Sequence, residues 1–309
     1  MRLRIAIVGG GVAAGLAASM LSRNNDVVLF RPSRLNASPI PEIVPRRVFF
    51  ERAFLSRRAE DRIIQAAETP VRSVTWRKSG GTRTRRLRTD SRYLVYDKGR
   101  LAKALLEEIC LLDLAEKDVP EIGAVTGFHT VLDCRGAKAV QADPAYRTEM
   151  RGYARTRCRY MLAERPDYLD PATMEFWSET TALGHRRTFY IVPVGDCTVS
   201  LGCSSHPSDP VGHEELMLAA RAAGVEIAET AIRVLGEAEP RPTVTRKRLS
   251  QVYPLGDANG LPCPLTEYGT LKALSQLAVM CGGQSLPHDV LARPISSEVD
   301  PHIPMELFA

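Results

Sequence analysis

Residues 1–30 decide what the rest of the chain can build. Leu3, Ile5, Ile7 and Val8 form an apolar run of strand length that stops at Gly9-Gly10-Gly11. Val12, Leu16, Met20 and Leu21 then recur at helical spacing through an alanine-rich segment, and Asp26 precedes a second short apolar run, Val27-Val28-Leu29-Phe30. Strand, glycine turn, helix and strand in that order predict a nucleotide-binding βαβ opening. Gly9 suits the tight turn and Gly11 the close approach of a diphosphate. Ala14, with Gly15 behind it, is the small third position where helix packs on strand. The diphosphate would lie over free N–H groups at the helix N-terminus, where the dipole favours anions. A basic start (Arg2, Arg4), an apolar middle and small residues up to Ser19 also trace the outline of a secretory signal peptide.

At 309 residues the chain can form one large or two interlocked domains. Its content, 44% apolar and 25% charged, is that of an ordinary globular protein. No window nears the run of about 18 apolar residues that spans a bilayer. The seven cysteines (110, 134, 158, 197, 203, 263, 281) are scattered and include no C-x-x-C pair, which argues against a disulfide framework and a structural zinc site. The expectation is a reduced, cytoplasmic protein. The six histidines stand apart without ligand spacing, so no metal site is expected. A net charge of +5 is carried largely by arginine, in clusters at Arg83-Arg85-Arg86-Arg88, Arg151-Arg155-Arg157-Arg159 and Arg246-Lys247-Arg248. Such runs are usually solvated faces; the sharper reading is a dock for an acidic partner or an anionic substrate. No aromatic platform accompanies them, so nucleic acid is not expected.

Further along, Arg31 to Pro45 carries several prolines and turn residues and predicts a crossing loop. Helices are expected over Arg46–Ala67, from Asp97 through Leu112, over Glu214–Ala223, and from Leu271 to Cys281. Strands are expected within Thr69–Tyr96 as a hairpin, at Val131–Cys134, and at Arg157–Leu162, Thr188–Val192, Cys197–Gly202 and Leu249–Leu255. Residues after Ser285 read as a proline-rich tail.

Three stretches carry a resemblance. Gly9-x-Gly11-x-x-Ala14 is one. Asp97-Lys98-Gly99-Arg100-Leu101-Ala102-Lys103-Ala104-Leu105-Leu106 is the second. The third is Leu255-Gly256-Asp257-Ala258, followed by Pro264-Leu265-Thr266-Glu267-Tyr268-Gly269 and a helix. In this order and spacing they resemble the FAD-dependent monooxygenases of the p-hydroxybenzoate hydroxylase and styrene monooxygenase types, related to flavin-dependent halogenases and lycopene cyclases. The strand end Asp133-Cys134-Arg135-Gly136 is similar to that family's mid-chain strand end. The likeness runs from Ile5 to about Cys281. It needs residues 1–30 as the first strand and helix of the fold, which disfavours the signal peptide.

The resemblance implies an α/β fold, a Rossmann-like FAD-binding domain with an interleaved β-sheet substrate domain. The expected division is residues 1–45, 97–150 and 249–284 for FAD, 46–96 and 151–248 for substrate, and 285–309 as the tail. It further implies that Gly9, Gly11, Val12, Ala13 and Ala14 hold the diphosphate, that Arg100 lies near the flavin or its phosphates, and that Asp257, after Gly256, binds the ribityl chain. Pro264, Thr266, Glu267 and Gly269 would form the turn and helix start facing the flavin pyrimidine edge. The implied activity is hydroxylation or epoxidation of a small, partly apolar metabolite through a flavin hydroperoxide. NAD(P)H would be the electron donor, directly or through a separate flavin reductase. No catalytic side chain is singled out; Trp76, Tyr160, Trp177, Phe189 and Tyr190 are candidate substrate walls.

Two residues depart from the pattern. The family usually carries an acid at the end of the second strand, whose carboxylate accepts hydrogen bonds from the adenosine ribose; here Arg31 stands there, and a guanidinium cannot accept one. FAD is then held without that clamp, and loosely, or Arg31 faces a phosphate. Glu267 replaces the usual glycine of the flavin-facing turn. Alternatives from the same residues are a lycopene-cyclase-like or halogenase-like enzyme, although the chain has no W-x-W-x-I-P, or a non-catalytic flavin-fold binding protein with a degenerate site.

Overall fold

A computed structural model describes residues 2–33, 41–45, 49, 57–69, 71–77, 84–88, 93–107, 113–150, 157–238, 243–259 and 268–281. The chain opens with β1 (Arg4–Val8), α1 (Val12–Leu21) and β2 (Asp26–Arg31), then β3 (Pro41–Pro45). Next come α2 (Arg57–Ala67), β4 (Glu68–Thr69), β5 (Ser73–Arg77), β6 (Thr84–Arg88) and β7 (Tyr93–Asp97). These lead into α3 (Lys98–Glu107), β8 (Asp113–Glu116), β9 (Thr130–Asp133), α4 (Ala137–Ala142) and β10 (Tyr146–Met150). Four long strands follow in a run interrupted only by turns: β11 (Arg157–Glu164), β12 (Thr173–Thr180), β13 (Arg186–Val194) and β14 (Thr198–Ser205). The described residues end with α5 (His213–Ala222), β15 (Ile232–Ala238), β16 (Thr243–Lys247), β17 (Val252–Pro254) and α6 (Tyr268–Met280).

Ile5, Ala6, Ile7 and Val8 are all buried, because both faces of their strand are covered. β1 lies at the centre of a five-stranded sheet of order β17-β9-β1-β2-β8 in which every pairing is parallel. A parallel sheet buried on both faces needs near-continuous apolar strands, which explains why these runs show no alternation. On one face α1, α3 and α6 pack with Leu16, Leu29, Leu105 and Leu274 fully buried. On the other, Ala6, Val131 and Val252 meet Val140 of α4 and Tyr146 of β10. α1 is so rich in alanine because it is enclosed on nearly every side. At Gly15 a Cβ would sit 2.9 Å from the Cβ of Leu105, so the small residue behind Ala14 sets the approach of α1 to α3.

A second, seven-stranded sheet has the order β15-β11-β14-β13-β12-β5-β6, antiparallel except where β12 pairs with β5. α5 covers one face, and there Trp177 and Phe189, opposite each other in register, stack at 5.2 Å. The other face carries Tyr160 and Tyr190 together with Ile43 of β3 and Val95 of β7. The candidate substrate walls are thus divided: Trp177 and Phe189 are core under α5, while Tyr160 and Tyr190 look toward the β3–β7 side. The Trp76 side chain lies outside the described residues. The hairpin expected over Thr69–Tyr96 is β5–β6, and β7 leaves it to pair with β3 and β4. Within Arg46–Ala67 the described residues, Phe49 and α2, are helical, and the rest of that stretch lies outside the described residues. β3 falls inside the stretch expected as a crossing loop, and β10, β15, β16 and the short helix α4 have no counterpart in the expectations from sequence.

Buried polar links join the parts. Tyr96 Oη of β7 donates to Thr270 Oγ1 of α6 at 2.9 Å. The Gly195 N–H, in the turn between β13 and β14, donates to Thr69 Oγ1 of β4 at 2.6 Å.

Candidate functional site

The five parallel strands all point their C-terminal ends at one cavity of about 910 Å³, the place where open α/β sheets bind ligands. Its middle is the β1–α1 turn: Val8, Gly9, Gly10, Gly11, Val12 and Ala13 line it. On the β2–β8 side the wall is Phe30, Pro32 and Ser33, then Lys117, Asp118, Val119 and Pro120. On the β17 side it is Leu255, Gly256 and Asp257, with Lys98 of α3 and Thr270 of α6. Cys134, Arg135, Gly136 and Ala139 close the floor.

Each glycine of the turn has its own reason. Gly9 has φ +135°, and a Cβ there would lie 2.5 Å from the carbonyl oxygen of Cys134. The turn cannot move away, because the Gly9 N–H donates to Phe30 O at 2.8 Å and the Cys134 N–H to Val8 O at 2.7 Å. Gly11 is different: its φ of −85° suits any residue, and a Cβ would meet nothing within 4 Å. A side chain there would enter open space at the mouth of α1. α1 has no side-chain cap, and its first intrahelical backbone bond is from Gly15 N–H to Gly11 O at 3.1 Å. The N–H groups of its first turn are therefore the positive end of a dipole facing a cavity large enough for a dinucleotide. The Gly256 turn has φ +58° and is fixed by its N–H donating to Gln276 Oε1 of α6 at 3.0 Å.

The floor is a buried ionic cluster. Asp133 is fully buried at the end of β9 and accepts from Arg135 Nε at 3.0 Å, Arg135 Nη2 at 2.7 Å and Tyr146 Oη at 2.9 Å. Arg135 Nη2 also reaches Asp143 Oδ2 at 2.5 Å, and Nη1 donates to the carbonyls of Val119 and Pro120 at 2.9 and 2.7 Å. Burial alone would raise the Asp143 carboxyl. The N–H groups of Ile122 and Ala145 and the Arg135 guanidinium outweigh it and hold this group below the usual carboxylate range. Burial and the neighbouring Asp133 charge push the Tyr146 hydroxyl far above its ordinary value, so it stays a donor. Burial likewise raises the Cys134 thiol, which makes it a packing residue and not a nucleophile.

Of the residues expected at the site, Gly9, Gly11, Val12, Ala13, Gly256 and Asp257 line the cavity, and Ala14 is fully buried just behind it. Gly269 is in the first turn of α6. Pro264, Thr266 and Glu267 lie outside the described residues. Arg31 points elsewhere: its Nη2 pairs with Glu116 Oε1 of β8 at 3.2 Å. Arg100 is exposed and lies against Gly195, whose Cβ would be 3.3 Å from Nη1; the cation that α3 turns into the cavity is Lys98, two residues earlier. Asp97 fixes that helix start by accepting the Arg100 N–H at 2.8 Å. Sequence reasoning missed Lys98, Lys117, Asp118, Arg135 and Thr270. Only Arg135 left a signal, as the Asp-x-Arg at a strand end.

The cavity runs across the strand ends between a glycine turn and a Gly-Asp turn. Among solved structures, 2-methyl-3-hydroxypyridine-5-carboxylic acid oxygenase in its tetrameric form superposes with a TM-score of 0.65 at 15% identity, over 96% of this chain and 86% of that one. A variant of HpxO from Klebsiella pneumoniae complexed with FAD gives 0.64 at 14% identity, over 91% and 81%. A flavin-dependent halogenase from Xanthomonas campestris gives 0.66 at 13% identity, over 97% and 75%. These likenesses establish the fold alone, a Rossmann-like parallel-sheet domain with a second sheet domain. No family model and no curated protein matches the sequence. Among the described residues no helix is long and apolar enough to cross a membrane.

The residues present fit FAD. The open space at Gly11, the uncapped start of α1 and the length of the cavity suit a diphosphate with a group on each side, and Asp257 adds a carboxylate to the wall on the β17 side. Among the described residues, the end of β2 departs from the pattern: Arg31 is paired away with Glu116.

Proposed function

We propose that this chain is an FAD-dependent oxidoreductase, and within that class a monooxygenase acting on a small, partly apolar metabolite. The observation that carries the reading is the single cavity that joins the Gly9–Gly11 turn to the Gly256–Asp257 turn across the ends of five parallel strands. Bound FAD would supply the redox and oxygen-transfer chemistry; the protein supplies binding, orientation and exclusion of water. In this reading the first N–H groups of α1 hold the diphosphate, with Lys98 adding a positive charge from α3. The Asp257 carboxylate accepts hydrogen bonds from the ribityl hydroxyls. The start of α6, fixed by the Tyr96–Thr270 bond, brings a helix dipole to the ring edge that becomes negative on reduction. The substrate would lie against the Tyr160 and Tyr190 face of the seven-stranded sheet. Electrons would come from NAD(P)H, directly or through a separate flavin reductase.

The test is air re-oxidation of chemically reduced FAD, followed by flavin absorbance with and without the purified chain. A monooxygenase site changes the rate and lowers the yield of free hydrogen peroxide once a substrate is found. Re-oxidation identical to that of free flavin would contradict the proposal.

A further inference from the structure

The strand order gives the cavity two distinct arms. β17, which leads to Asp257, and β8, which leads to Asp118, are opposite edges of the five-stranded sheet, with the β1 glycine turn between them. A dinucleotide with its diphosphate on α1 and its polyol on Asp257 must therefore send its adenosine toward the β2–β8 arm. β2 offers no carboxylate there. Arg31 can only donate, and its guanidinium is turned to Glu116. Of the residues at and just after the end of β2 that line that arm, Phe30 and Pro32 have no polar side chain and Ser33 has only a hydroxyl.

The neighbouring strand fills the gap. Arg31 stands opposite Glu116 in the parallel register, and the Lys117 N–H donates to Arg31 O at 3.0 Å, so β8 stays aligned with β2 to its last residue. The chain then turns into the cavity wall as Lys117-Asp118-Val119-Pro120. The loop is held from beneath by Arg135 Nη1, which donates to the carbonyls of both Val119 and Pro120 while Asp133 and Asp143 fix the guanidinium. Asp118 is thus presented to the adenosine arm on a loop tied down at the next two residues.

We propose that Asp118 accepts the hydrogen bonds of the adenosine ribose diol, a clamp moved from the end of β2 to the loop after β8. The proposal rests on the dinucleotide reading of the cavity. It makes Arg135 a positioning residue acting through the loop, and it explains how a chain with Arg31 at the β2 end can still hold a ribose. Lys117 beside it offers a rival chemistry, since an ammonium would attract a 2′-phosphate.

Binding of ADP, 2′-deoxy-ADP and adenosine 2′,5′-bisphosphate to the full chain separates these, by calorimetry at fixed salt. The expected order is ADP tightest. Asp118→Ala and Asp118→Asn should weaken ADP about tenfold, the scale of one charge-assisted hydrogen-bonding group, and 2′-deoxy-ADP, which keeps only the 3′-hydroxyl, by a smaller factor. If Asp118→Ala binds ADP as the parent does, or keeps the parent's preference for ADP over 2′-deoxy-ADP, Asp118 is not the clamp. Tighter binding of the bisphosphate would overturn the proposal in favour of a phosphate on Lys117. If the parent binds neither ADP nor FAD, the dinucleotide reading falls, and this proposal with it.

Discussion

Gly9 and Gly11 lie two residues apart in one turn, yet replacing each by alanine should damage different properties. At Gly9 an alanine must adopt φ +135°, a conformation that L side chains rarely take, at a cost of about 1–3 kcal/mol. Its methyl would also lie 2.5 Å from the Cys134 carbonyl oxygen. Relief requires β1 and β9 to part at their ends, which weakens the bond from Cys134 N–H to Val8 O, about 1 kcal/mol. The sum predicts that Gly9→Ala loses about 2–4 kcal/mol of stability. At Gly11 the backbone, φ −85° and ψ −174°, is open to alanine and the methyl touches nothing within 4 Å. Stability should stay within about 0.5 kcal/mol of the parent, or rise slightly because the unfolded chain loses freedom. The methyl would instead occupy the mouth of α1, and FAD affinity should fall at least about tenfold, roughly 1.4 kcal/mol. Urea unfolding followed by far-UV circular dichroism, with the m-values compared, gives the first quantity, and flavin titration the second. A Gly9→Ala protein as stable as the parent, or a Gly11→Ala protein that binds FAD as tightly as the parent, would refute the steric account of this turn.

Other substitutions probe the two arms and the floor. Asp257→Ala should weaken FAD binding much more than Glu267→Gly does; unchanged affinity in Asp257→Ala would mean the second motif is misplaced. Arg135→Met leaves the buried carboxylates of Asp133 and Asp143 without their cation and should cost about 3–5 kcal/mol in urea unfolding; a loss below about 1 kcal/mol would contradict the ionic floor. The Asp143 carboxyl is held below the usual range in the folded chain. Its contribution is therefore complete above the unfolded value of about 3.9 and is lost as pH falls through the lower folded value. Asp143→Asn should be less stable than the parent at neutral pH and should show a flatter stability curve below about pH 4; parallel curves for the two proteins would refute the assignment.

Much of the fold was legible where the information is local. β1, α1 and β2 are contiguous and signalled by strand, glycine and helix periods in turn. β12 was legible only as part of an extended stretch without bounds of its own, because Thr173–Thr180 is delimited by pairing with β5, about a hundred residues earlier in the chain, as well as with β13. β16 is polar but for Val244 and owes its extended form to β10. The site divides the same way. Both glycine turns were legible because a turn that must admit a ligand needs particular residues in sequence. Lys98 was passed over for Arg100 since a shift of two positions, set by where α3 begins, decides which cation enters the cavity. Arg135 and Asp118 acquire meaning only when β8, β9 and the loop at Val119 and Pro120 are brought together.

The central claim is that the cavity over β1 is a flavin site. Its most direct test is titration of the purified chain with FAD, oxidised and chemically reduced, followed by flavin absorbance and fluorescence. The account predicts saturable uptake of one FAD per chain, micromolar or tighter in at least one redox state, and competed by ADP. No uptake in either state by a folded protein would contradict it.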